Sequence, residues 1–402
     1  MSKLEETTAI LADLIGFATI SSDSNLDAIA YIADHLATHG ARVEVLRDPS
    51  GEKANLWASF GPEEDGGLVL SGHSDVVPVA EQPWTSDPFA LREAEGRLYG
   101  RGTCDMKGFI AAVLALAPQL QAAANLRPIH IAITHDEEVG CIGARSLVEV
   151  LKARGIRPAL ALIGEPTQMQ VVEGHKGVCE YTVRFTGSEG HGSAPERGTN
   201  AVEYATRYIA QLLSLRQELK ARAPQNSPFE PPETTINIGA LHGGHAHNVI
   251  PGYATLEWEM RPINEDDMAF VKTRVAEYCQ AELLPQMRAV TPGAEITTEV
   301  IGEVTGLEPM PENRIRDMVQ QLTGANGAHC VPFGTEAGLF QQLGIQAVLC
   351  GPGSIEQAHK PDEFVELDQL AQCLEMLEKL AILHGSGSLG SAPSATVENG
   401  AG

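Results

Sequence analysis

The sequence predicts an α/β protein: a mostly parallel sheet with helices on both faces, interrupted by an inserted ferredoxin-like α+β unit. Three observations carry this. Apolar strand-like runs alternate with helical apolar spacing through the first half of the chain. From about Cys179 the order becomes β-α-β-β-α-β, which is the ferredoxin-like signature. After about residue 302 the helix–strand alternation resumes and ends in Leu367–Leu383.

Taken in order, Leu4–Phe17 and Leu26–Thr38 carry apolar residues at helical spacing, and Gly40 fits a C-terminal stop. Leu68–Leu70, Ile129–Thr134, Ala159–Ile163 and Ala347–Cys350 are apolar, strand-like runs. Helices are expected at Met106–Gln121 and at Ile142–Ala153, the latter ended by Gly155. Strands between helices suit a mostly parallel sheet covered on both sides. In the insertion, Glu180–Phe185, Thr234–Ala240, Tyr253–Arg261 and Glu295–Ile301 read as strands, with helices at Asn200–Leu215 and Asp266–Leu284. The Pro-rich stretch Ala223–Glu233 reads as a loop. Residues 1–178 and 303–384 are expected to form the body and 179–302 the insertion, with a disordered tail, rich in Gly, Ser and Ala, at 385–402.

The chain has 402 residues, enough for more than one core. Its net charge of −25 disfavours nucleic acid and anionic membranes as partners. No apolar run is long enough to span a bilayer, and the N-terminus does not read as a secretory signal. Seven scattered cysteines form no disulfide framework, so the expected compartment is the cytoplasm. Cys141, Cys179, Cys279 and Cys350 read as buried thiols, and Cys104 as a small wall residue.

Acidic residues and histidines follow the strand-like runs: His73, Asp75, Glu137, Glu138, Glu165 and His359, with Asp105 in a Gly-rich loop. In an open α/β sheet the carboxyl ends of neighbouring strands converge on one crevice. Five potential ligands and a spare carboxylate there would make a two-metal hydrolytic site. Asp75 is placed to accept the second ring N–H of His73 and so fix its tautomer. Asp105 has an oxygen for each of two cations, and it also suits the N-cap of the helix that follows. Glu137 and Glu138 are either a solvated acidic turn or a ligand beside a general base. Mixed His and carboxylate ligands suit Zn²⁺, with Co²⁺ or Mn²⁺ as substitutes. His242, His245 and His247 lie in a Gly-rich stretch that reads as a solvated loop.

Ser71-Gly-His-Ser-Asp-Val-Val-Pro78, Gly100-Arg-Gly-Thr-Cys-Asp-Met-Lys-Gly108, Thr134-His-Asp-Glu-Glu-Val-Gly140, Gly164-Glu-Pro and Ala358-His359 form a linked set. Together they resemble the dinuclear zinc aminoacylase and carboxypeptidase family, over about residues 5–383. The resemblance implies a zinc aminopeptidase-like body and two zinc ions bridged by Asp105. His73 and Glu165 would complete one metal position, Glu138 and His359 the other. Glu137 would be the base, Asp75 the orienting partner of His73, and Asp105-Met106 a cis peptide.

It further implies a homodimer formed through the insertion. His191, in Gly187-Ser-Glu-Gly-His-Gly-Ser193, would reach the oxyanion in the partner's site. Asn248 and Arg261 match positions that hold a substrate carboxylate, although Arg261 also reads as half of a surface ion pair. Gly334 and Thr335 would grip that carboxylate. Glu336 would either face a substrate ammonium or satisfy a helix dipole. The run Gly334-Thr-Glu-Ala with Gly351-Pro-Gly-Ser resembles the family members that act on N(α)-acetyl-L-ornithine, so the resemblance implies that substrate. Succinyl-diaminopimelate, other N-acyl amino acids and dipeptides are the rivals, and a non-catalytic sensor of acylated amino acids is the alternative outside the enzyme class.

Overall fold

The computed structural model describes residues 1–386. Its large sheet has eight strands, in the order Arg42–Arg47, Ala54–Phe60, Ile129–Thr134, Leu68–His73, Leu160–Ile163, Gln346–Leu349, Val172–His175 and His329–Val331. The four central strands, from Ile129–Thr134 to Gln346–Leu349, are mutually parallel. Antiparallel pairing is confined to the Arg42–Phe60 side and to the contact of Gln346–Leu349 with Val172–His175. Three of the central strands, Ile129–Thr134, Leu68–His73 and Leu160–Ile163, are buried from end to end, and Gln346–Leu349 after its first residue, as expected when helices cover both faces.

Alternation along each strand divides the core. Leu68, Leu70, Leu160 and Leu162 join one apolar cluster, with the helices Lys3–Gly16, Leu26–Thr38, Gly108–Ala115 and Leu367–Gly385. Val69, Ala161 and Ile163 join another, with Ile142–Arg154 and Ala337–Gln342. Period-two side-chain direction thus feeds both faces of one sheet.

Helix ends follow local chemistry. Ser2 and Glu5 form a reciprocal capping box at the first helix, and Gly155 ends Ile142–Arg154 in the left-handed conformation. The single helix expected at Met106–Gln121 is instead three pieces: a turn at Thr103–Lys107, then Gly108–Ala115 and Ala117–Ala123, the last bent by 60°. Pro118 lies in the first turn of the last piece, where its missing N–H is tolerated but continuation from the preceding helix is not. The Asp105-Met106 peptide is cis. Among the described residues no single helix is long and apolar enough to cross a membrane.

The second sheet has the order Thr235–Gly243, Tyr253–Arg261, Val178–Thr186, Glu295–Val304, all antiparallel. Numbered along the chain this is 2-3-1-4, the ferredoxin-like arrangement. Ala201–Arg222 and Glu265–Tyr278 share its separate core. The first of these helices outruns the expected Leu215 because its apolar stripe continues to the buried Leu219. The second passes through a wider turn at Cys279–Leu283 into Leu284–Val290. The chain leaves the large sheet after His175 and returns at Leu307, and these two residues pair directly. Of the expected tail, Gly385 closes the last helix and residues 387–402 lie outside the described residues.

His175 sits buried at this crossing. Its Nδ1 donates to the Lys176 carbonyl at 2.9 Å, and its Nε2 accepts from the Thr335 hydroxyl at 2.9 Å. Burial lowers its pKa from 6.5 to about 4. As pH drops, the unfolded chain therefore takes up this proton first. The stabilisation is complete above pH 6.5 and is lost as pH falls through 4, by roughly 3 kcal/mol in total at 1.36 kcal/mol per unit. Urea unfolding at pH 7 and 4.5 should show a smaller acid loss for His175→Asn than for the parent chain; equal losses contradict this.

Candidate active site

The parallel strands end side by side, and each delivers its functional residue at the same edge. His73 is the last residue of Leu68–His73, Glu137 and Glu138 follow Ile129–Thr134, and Glu165 follows Leu160–Ile163. Asp105 lies in the turn Thr103–Lys107, and His359 in the loop after Gln346–Leu349, with φ +64°.

These residues form two groups that share one carboxylate. His73, Asp105 and Glu165 offer ligand atoms within 4.8 Å of one another, and so do Asp105, Glu138 and His359. Asp105 Oδ1 lies 3.0 Å from His73 Nε2, while Oδ2 lies 3.3 Å from His359 Nε2. One oxygen therefore faces each group. The first group is buried; in the second, His359 is half exposed, so this position faces the opening.

The electrostatics ask for cations. Burial, with repulsion from Asp105 and Glu137, pushes Glu165 well above the usual carboxylate range. Burial and Asp105 likewise raise Glu138. Burial works to raise Asp105 too, but the His359 and His73 rings outweigh it and hold the carboxyl down. His359 rises to about 10 through its bonds to Asp105 and Glu138. Glu165 Oε1 is buried without a hydrogen-bond partner. Such an orphaned oxygen among imidazoles and carboxylates fits a pair of divalent cations.

Glu137 belongs to neither group. Burial pushes its carboxyl well above the usual range; His73 opposes this, and Glu138, Asp105 and Asp75 add to it. Asp75 has a wider role than expected. The close partner of His73 Nδ1 is the Asp75 carbonyl at 2.9 Å, with the carboxylate at 3.5 Å. That carboxylate mainly anchors the acidic loop, accepting from the Glu137 N–H at 3.1 Å, the Glu138 N–H at 3.4 Å and the Ser21 hydroxyl at 2.7 Å.

The other expected residues join neither ligand group. His191 is exposed, and its Nδ1 pairs with Ser193 Oγ at 2.7 Å. It neighbours Asn248, whose carbonyl accepts from the Gly192 N–H at 2.7 Å. Arg261 makes the surface ion pair, 2.7 Å from Glu259. Thr335 is buried against His175. At Gly334 a Cβ would lie 2.5 Å from the Val178 side chain. Glu336, expected either to face a substrate ammonium or to satisfy a helix dipole, is buried just before the helix Ala337–Gln342, with its oxygens accepting from the Ser71 hydroxyl at 2.5 Å and the Thr134 hydroxyl at 2.7 Å. His242, His245 and His247 are exposed, and no metal-capable group forms there among the described residues.

Sequence reasoning missed Glu363, Arg101 and Gln82, which tie the Asp105 and His359 loops together. It also missed Lys107, whose ammonium holds the Leu14 and Phe17 carbonyls at 3.0 and 2.8 Å at the end of the first helix. Glu363 stands only four residues after His359, which was the available signal.

A parallel sheet whose strand ends carry paired His–carboxylate groups and a spare, half-buried glutamate defines a metal-dependent hydrolase. Comparisons with known proteins agree. The model for Peptidase family M20/M25/M40 matches residues 69–382, and the chain belongs to this family. It is 37% identical to the acetylornithine deacetylase of Pasteurella multocida (strain Pm70), covering 94% of this chain and 98% of that one. The M20 family metallo-carboxypeptidase Sso-CP2 from Sulfolobus solfataricus shares the fold, with TM-score 0.73 and 17% identity over 95% of this chain and 99% of that one. So does the Bacillus subtilis YXEP protein, a dinuclear metal binding peptidase from the M20 family, with TM-score 0.62 and 17% identity over 96% and 98%.

Proposed function

We propose that this hydrolase cleaves N(α)-acetyl-L-ornithine to L-ornithine and acetate, using two zinc ions for which cobalt can substitute. The observation that carries the reading is Asp105, with one carboxylate oxygen toward each of two His–carboxylate groups and Glu137 beside them. The substrate assignment draws on the 37% identical relative. His73, Asp105 and Glu165 would hold one cation, and Asp105, Glu138 and His359 the other. When bound, such cations polarise an amide carbonyl and make water more acidic.

Glu137 takes the proton of the attacking water and passes it to the leaving α-amine, so one water is consumed for each amide cleaved. Its place beside both ligand groups, with a ligand role in neither, suits both halves of that transfer. Asp75 holds the loop that carries it. Asn248, Arg261, Gly334 and Thr335 are assigned to the substrate carboxylate, which requires Arg261 to exchange its Glu259 partner for substrate. All seven cysteines are free, which supports a reducing, cytoplasmic setting.

His191 is assigned to the oxyanion of the partner subunit's site in a homodimer joined through the inserted unit, which acts as a lid. The exposed Leu241 and Tyr253 on its strands support a partner-covered face. His191→Ala and Glu137→Ala chains should each be nearly inactive alone. Mixed, they should regain activity, because a mixed dimer holds one site with both groups intact. No recovery on mixing would place His191 outside catalysis in trans.

The substrate assignment is tested by acetate release from N(α)-acetyl-L-ornithine, with and without added Zn²⁺ or Co²⁺, beside succinyl-diaminopimelate, acetylmethionine and dipeptides. Metal-dependent preference for acetylornithine supports it, and preference for another amide overturns the substrate alone. Metal uptake with no turnover of any amide would point to a sensor.

A further inference from the structure

We infer that Glu363, with Arg101 and Gln82, is a positioning clamp that sets the spacing of Asp105 and His359 and thereby the affinity of the outer cation position. The inference rests on the two-cation reading above.

Glu363 Oε1 accepts the backbone N–H of Cys104 at 3.0 Å and of Asp105 at 3.2 Å. Its Oε2 accepts from Arg101 Nη1 at 2.6 Å. Arg101 Nη1 also donates to the Lys360 carbonyl at 3.3 Å, and Nη2 donates to Gln82 Oε1 at 2.6 Å. Gln82 Nε2 then donates to the His359 carbonyl at 2.8 Å. Hydrogen bonds thus run from the backbone of one outer ligand to the backbone of the other, through residues that touch neither proposed cation position. Two further ties reinforce the path. Asp362 Oδ1 accepts from the Thr85 N–H and hydroxyl at 3.0 and 2.9 Å, and the Gly100 N–H donates to the Glu363 carbonyl at 2.9 Å.

Arg101 and Glu363 are each 1% exposed. A buried ion pair is poor value as a stabilising device, because desolvation offsets most of its attraction. What it supplies is fixed geometry. The His359 loop needs such support: His359 and Asp362 have φ of +64° and +55°, left-handed values that non-glycine residues hold only when their surroundings impose them. The inner position is built differently. His73 is held by its strand and by Asp75, and Glu165 stands two residues past the end of its strand. The clamp therefore reaches two ligands of the outer position, Asp105 and His359, but only the shared Asp105 of the inner one.

The test is calorimetric titration of Zn²⁺ into the full chain after removal of bound metal, with thermal unfolding of the metal-free protein as the folding control. Of the two outer ligands, Gln82→Ala touches only His359 directly, through one hydrogen bond; it also removes the acceptor of Arg101 Nη2 and Trp84 Nε1, while Glu363 keeps its hold on the Cys104 and Asp105 N–H groups. This variant should weaken the outer position about threefold to tenfold, the usual size for one lost hydrogen bond, and leave the inner one unchanged. Glu363→Gln should weaken the outer position about 10- to 100-fold, as loss of a ligand-orienting partner does, and the inner one less. If Glu363→Gln does not fold, Gln82→Ala, on a half-buried side chain, decides alone. Equal loss at both positions, or none at the outer one, overturns the clamp while leaving the two-cation reading intact. Fewer than two cations in the parent chain overturns both.

Discussion

Glu137→Ala is expected to bind both cations and to lose about three or more orders of magnitude in turnover, the usual reach of a positioned general base. The separation of effects follows from placement. Glu137 belongs to neither ligand group, and among the described residues its carboxylate is bonded only by the Cys141 thiol at 3.4 Å. Removing it strips no ligand from a cation. The backbone N–H that Asp75 grips is still present in alanine, so the neighbouring Glu138 keeps its place. Metal content by elemental analysis and steady-state rates on acetylornithine check the two halves independently. Near-normal turnover in a metal-replete variant would remove Glu137 from the chemistry.

Asp105→Ala should fail differently, losing both cations and all measurable turnover together. Its two oxygens face separate groups, so one substitution opens both positions. The loss of affinity should exceed the roughly 10- to 100-fold seen when a mere orienting partner is removed. His359→Ala is the control, because His359 serves one group only and the variant should keep one cation per chain. An Asp105→Ala protein that still binds two cations would show that the carboxylate does not bridge.

The convergence of His73, Asp105, Glu138, Glu165 and His359 could be read from the sequence; what they do there is proposed. His73, Glu138 and Glu165 were legible because parallel strands bring their carboxyl ends together, so position relative to a strand implies position in space. The break in the predicted Met106–Gln121 helix was also written locally, in Pro118. Glu336 was not. Whether it faces substrate or core depends on the hydroxyls of Ser71 and Thr134, 265 and 202 residues away. Arg101 and Glu363, 262 residues apart, are similarly invisible to any local pattern. The double duty of Asp75 escaped for another reason: spacing foretells that two side chains are near, not which hydrogen bonds win.

The interleaving of the large sheet also dictates an order of events during synthesis. Strand Gln346–Leu349 fills the gap between Leu160–Ile163 and Val172–His175, so the sheet stays divided until nearly the whole chain has been made. The inserted unit's strands and helices, from Val178 to Val304, leave the ribosome well before that point and already possess their own core. Domains generally fold as units while the chain emerges. The unit proposed to cover the active site is thus in hand before that site exists, and His359, the last of the proposed ligands to be synthesised, completes the cluster.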